Sequence, residues 1–183
     1  MFVVAVAPNL RAASNELANA KDGDWAKFLI TTNVDGKPFF SKKDVPRWWV
    51  ARPNGKYINM RIYMSIGGKP TSAGGSGYAT EGDINPMVFA TDARIEEVSR
   101  TSEDVVAAGK TLKCTKVVRK ISQSAGLGRP WWEGTETVWT SFDTPLGLVK
   151  LEADYTRQIS EDSDKQKVHE VWILSETGSD WQE

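Results

Sequence analysis

The sequence predicts a mainly β protein: a curved antiparallel sheet or open half-barrel of about eight or nine strands, with one or two short helices. Three observations carry that expectation. Short apolar runs are punctuated by turn residues through most of the chain; side-chain polarity alternates with a period of two; and the connections are too short for helical crossovers, so neighbouring strands should be antiparallel. A curved sheet, an open barrel and a sandwich all satisfy these observations.

The elements follow in order. Residues 1–13 (MFVVAVAPNLRAA) hold a short apolar run, then Pro8 and small residues at Ala12 and Ala13. This resembles the back half of a secretory signal peptide cut near Ala12 or Ala13; the alternative is an ordinary first strand. Residues 14–183 then form a single antiparallel β domain. Residues 14–21 suit a short helix capped by Ser14 or Asn15, with Leu17, Ala18 and Ala20 on its apolar side, and Asp22-Gly23-Asp24 stops it. Residues 25–32 and 47–52 read as strands, separated by the turn signal Val34-Asp35-Gly36-Lys37.

Pro53-Asn54-Gly55-Lys56 is the strongest hairpin signal, because Asn-Gly tolerates positive φ at both central positions. It leads into the clearest strand. Ile58, Met60, Ile62 and Met64 fall on one face, and Tyr57, Asn59, Arg61 and Tyr63 on the other. Residues 67–77 (GGKPTSAGGSG) read as a flexible loop, and residues 85–91 are ambiguous, with a helical turn as the reading they suit. Strands are expected at 94–101, 103–108, 111–121, 135–142, 148–157 and 167–175. A Gly-, Pro- and Trp-bearing loop should occupy 122–134, and an acidic tip 160–165.

The chain has 183 residues, 40% of them apolar and 26% charged, as expected of one folded domain. Lys plus Arg number 23 against 24 for Asp plus Glu, so no global field would attract a nucleic acid. One cysteine, Cys114, forbids an intramolecular disulfide, and one histidine, His169, leaves too few ligands for a Cys- or His-rich zinc site. No run approaches the ~20 apolar residues that span a bilayer as a helix.

Ala20-Lys21-Asp22-Gly23-Asp24-Trp25, the run from Ala108 to Cys114, Val138-Trp139-Thr140-Ser141 and the run from Pro145 to Glu152 together resemble a group of exported β-sheet proteins of planctomycete type. That group is in turn similar to lipoprotein-carrier-like half-barrels. The resemblance covers about half the chain, and the Trp-bearing loop at 126–134 departs from it. It implies an exported protein whose curved sheet wraps a helix or an apolar ligand, and it carries over no functional residue.

Cys114 and His169 are the one conceivable nucleophile–base pair, but a mid-strand cysteine usually behaves as a small buried hydrophobe. Ser76 lacks the nucleophile-elbow pattern. Glu133, Glu136 and Asp143 could offer paired carboxylates to a glycosidase, yet surface positions are the commoner outcome. The tip around Glu161 and Asp162 reads as a solvated turn rather than a calcium loop.

The tryptophans say more. Trp48-Trp49 and Trp131-Trp132 are adjacent, so on a strand each pair sends one ring to either side of the sheet. One ring of each pair can be core; the other needs a second layer, a lid or a ligand. The candidate ligand-binding residues are therefore Trp48, Trp49, Ile58, Met60, Ile62, Met64, Trp131 and Trp132. The functional expectation is a non-catalytic envelope protein, without cofactor or metal, that binds a lipid-like ligand or a partner protein on a concave sheet. The alternative is a polysaccharide-binding or structural surface protein using exposed Trp side chains.

Overall fold

A computed structural model describes residues 15–40, 45–66, 69–80, 82, 93–124, 131–160 and 162–182. Ten strands occur among them: β1 (Trp25–Val34), β2 (Lys37–Pro38), β3 (Val45–Asn54), β4 (Tyr57–Ile66), β5 (Lys69–Ala79), β6 (Arg94–Ala107), β7 (Lys110–Gln123), β8 (Trp131–Thr140), β9 (Leu148–Gln158) and β10 (Gln166–Gly178). They form one open antiparallel sheet in the order β5-β4-β3-β1-β10-β9-β8-β7-β6, with the two-residue β2 paired to β1. The expected class holds, and its sandwich variant does not.

Alternation explains why these segments pair as they do. In β1, Ala26, Phe28, Ile30 and Thr32 are buried while the residues between them are half-exposed. Register carries that face across the sheet. Ala26 lies beside Trp49 and Phe28 beside Arg47 on β3, and these lie beside Ile62 and Met64 on β4. A one-residue slip would turn the whole apolar set outward, so burial itself enforces the register. Each fully buried Phe or Leu adds about 2 kcal/mol relative to leaving it exposed.

The sheet curls around this face. Tyr78 of β5 senses the charge of Glu136 on β8, although five strands lie between them in the sheet order. At the other edge, the Ala108 N–H in the β6–β7 turn donates to the Leu174 carbonyl of β10 at 3.2 Å. Leu17 plugs the interior from a single 3-10 turn (Glu16–Asn19), where the Asn15 side chain accepts the Leu17 N–H at 3.0 Å. That turn stands where the short helix over 14–21 was expected.

Four local expectations change. Residues 67–77 were expected as a flexible loop, but Lys69–Ala79 is a full edge strand: it pairs through its backbone, which needs no side-chain pattern. Residues 94–101 and 103–108 form one continuous β6, kinked by a bulge between Glu97 and Ser99. Trp131 and Trp132 open β8 instead of ending a loop. In the β3–β4 hairpin, Asn54 pairs with Tyr57, so Gly55 and Lys56 form the turn. Gly55 adopts φ +62° and Asn54 stays in the strand. The turns with two positive φ values at their centres are Asp35-Gly36, at +51° and +77°, and Ala108-Gly109, at +49° and +70°. Residues 1–13 and 85–91 lie outside the described residues.

Candidate functional site: the concave face and its open end

The floor of the concave face is aromatic. Phe28 meets Trp49 edge-on at 5.3 Å, Trp49 meets Trp172 at 5.5 Å, and Tyr78 stacks on Trp49 at 5.5 Å. Ile58 and Met60 pack into the same cluster and are buried. Trp132 joins it from β8, edge-on to Tyr155 at 5.9 Å.

Burial loosens toward the end of the sheet where β1, β4 and β9 finish and β3, β8 and β10 begin. There Ile62, Met64, Arg47, Tyr155 and Glu170 are half-buried. Arg47 lies beside Met64 in register, and its guanidinium sits over the Trp172 ring at 5.2 Å. The Arg47 Nε is buried and makes no hydrogen bond. Burial pulls this guanidinium below its ordinary value, and the negative charge of Glu170 opposes that pull. Glu170 accepts from the Thr32 hydroxyl at 3.3 Å and from the Trp172 indole N–H. Burial pushes the Tyr155 phenol up to about 12, with the Glu170 charge adding to it. Burial likewise pushes Tyr78 up to about 12, and its buried hydroxyl makes no hydrogen bond.

Deeper inside, Arg119 on β7 and Glu136 on β8 are direct cross-strand neighbours, 3.3 Å apart and each with 2% of the side chain exposed. Glu136 was expected at the surface; alternation places it inside with Trp132 and Val138. Glu133 faces the opposite side and is exposed, as is Asp143, so these carboxylates do not form a pair.

The paired tryptophans divide between the faces. Trp49 and Trp132 point inward, while Trp48 joins an outer cluster and Trp131 lies under the Lys165 ammonium at 4.5 Å. None of the eight tryptophans is exposed. Cys114 is buried in β7 and donates to the Leu112 carbonyl at 3.5 Å. Burial, with nearby acidic side chains, pushes its thiol up to about 11. His169 on β10 hydrogen-bonds Asp154 at 2.8 Å instead. The thiol–imidazole pairing is absent. Among the described residues, no group of three or more His, Cys, Asp or Glu converges as metal ligands.

The sequence reading passed over Arg47, Tyr78, Arg119, Tyr155 and Glu170. Parity was the available signal, since Arg47 shares a face with Trp49, Arg119 with Ile121 and Glu170 with Trp172.

No family model and no curated protein matches this sequence. Two crystal structures are similar over 92% of this chain and 100% of their own. One is a candidate lipoprotein from Parabacteroides distasonis, with a TM-score of 0.51 and 11% identity. The other is a candidate exported protein with a YmcC-like fold from Bacteroides fragilis, with a TM-score of 0.48 and 12% identity. The first establishes a shared fold. Neither is described as a planctomycete protein or a lipoprotein carrier.

Proposed function

We propose that this chain is a non-catalytic protein of the bacterial cell envelope that holds an amphipathic, lipid-like ligand at the open end of its concave face. The observation that carries the reading is Arg47, a half-buried cation with an unbonded Nε set into an apolar wall. A buried donor without a partner is costly, and a ligand oxygen would relieve it. Ile62 and Met64 would take the apolar portion, and the flexible thioether of Met64 adapts to variable chains. The apolar run at residues 2–7 supports export. So does the shared fold with the candidate lipoprotein of P. distasonis.

A fluorescent fatty acid, dansyl-undecanoate, tests the site directly. Saturable enhancement should appear, lauric acid should compete it away, and Met64→Glu should weaken it by about tenfold, roughly 1.4 kcal/mol. Absence of saturable enhancement in the parent protein would remove the ligand reading. A carbohydrate reading needs a ring reached through a cleft, because no tryptophan offers an open platform.

A further inference from the structure

The outer face of the sheet carries a second aromatic cluster that the concave site does not use. After β10 the chain turns back across the β1 end: the Trp181 N–H donates to the Gly23 carbonyl at 3.1 Å, and the Ser179 hydroxyl donates to Asp24 at 2.9 Å. This strap sets the Trp181 ring 5.2 Å from Tyr63, 5.8 Å from Trp25 and 6.4 Å from Trp48. Beside it a cleft of about 410 Å³ opens, lined by Arg61, Tyr63, Pro70, Ser72, Trp181 and Gln182. Gly75 lies opposite Arg61 in register and Gly77 opposite Asn59, so at these two positions β5 adds no side chain, and it contributes Pro70 and Ser72 to the cleft.

We infer that this outer cleft binds a single pyranose ring. Its volume falls in the range of small-ligand sites. Its lining divides as a sugar does: the half-buried Trp181 ring, backed by the buried Tyr63, suits the C–H face of the ring. Arg61, Ser72 and Gln182 supply hydrogen-bonding groups for the hydroxyl edge. The guanidinium fork matches two adjacent oxygens, whether vicinal hydroxyls or a carboxylate. Tethering at Gly23 and Asp24 holds Trp181 in place before binding, which lowers the ordering cost. This site is independent of the concave one.

Methyl β-glucopyranoside and glucuronate, titrated separately into the ¹⁵N-labelled chain, test the assignment. The indole N–H resonance of Trp181, identified by its loss in Trp181→Phe, should shift saturably with both sugars, more strongly with glucuronate. Trp181→Ala should weaken binding at least tenfold. Ser72→Trp fills the cleft from an exposed edge position, leaving the strap's hydrogen bonds to Gly23 and Asp24 intact, and should abolish the shift while leaving backbone amide dispersion and the urea midpoint unchanged. The proposal is overturned if neither sugar moves that resonance, or if the shift survives in a folded Ser72→Trp protein. A proline-rich peptide that moves it where both sugars are silent would equally overturn it.

Discussion

Arg119 and Glu136 lie far enough inside the sheet that neither can regain its solvation from water, so each depends on the other and on its polar surroundings. Removing one partner strands a buried charge. Glu136→Leu alone is therefore expected to cost about 3–5 kcal/mol, whereas the double variant Arg119→Met with Glu136→Leu should cost much less, because it removes both desolvated charges. Urea denaturation of the two singles and the double checks this, and a double variant as unstable as the sum of the singles would refute it. Gly134 is constrained by close approach rather than by φ. An added Cβ would run into the Asp154 carbonyl and the Tyr155 side chain across the β8–β9 ladder. Backbone cannot move aside cheaply there, so Gly134→Ala should cost on the order of 3 kcal/mol by the same measurement. Cys114 gives the contrasting case: buried and held protonated, it should resist alkylation by iodoacetamide until the sheet opens.

The β3–β4 hairpin separates two accounts of one turn. Asn54-Gly55 looks like a two-residue turn with positive φ at both positions, but the register makes Gly55-Lys56 the turn and leaves Asn54 as a paired strand residue. Gly55→Ala should therefore cost about 1 kcal/mol through its φ of +62°, while Asn54→Ala should stay within about 0.5 kcal/mol; equal costs would favour the other register. The strands legible in the sequence are those with one face in the core, such as β1 and β4, where burial writes itself into alternation. β5 was illegible for the converse reason: it is an edge strand, exposed almost throughout, so no face selects apolar residues and nothing distinguishes it from loop. β6, the other edge strand, was read as two strands because nothing in its exposed sequence marks the bulge between Glu97 and Ser99 as internal to one strand. The candidate site was legible in its greasy half, Ile62 and Met64. Its polar half was not, because Arg47 and Glu170 read as ordinary surface charges until the curl of the sheet brings them inward.

Curling concentrates three acidic protons inside one molecule, and this sets how the whole fold answers alkali. Burial holds Cys114 neutral up to about 11 against an ordinary 9.0, and it holds Tyr78 and Tyr155 up to about 12 against 10.0. In the unfolded chain these groups ionise at their ordinary values. Below about pH 9 both states are fully protonated and the contribution to stability is constant. Above it the unfolded chain releases protons that the folded chain still binds, so stability falls with rising pH and the contribution is gone once the folded values are passed. A two-unit shift at Tyr78 corresponds to about 2–3 kcal/mol. The urea midpoint should thus be flat from pH 7 to 9 and then drop steeply toward pH 12. Tyr78→Phe should flatten the drop, because phenylalanine keeps the ring on Trp49 and has no proton to lose. Tyrosinate absorbance from Tyr78 and Tyr155 should rise only as the fold gives way. If the midpoint instead held steady through pH 12, these phenols would have to lie within reach of water, and the curl that buries them would be wrong.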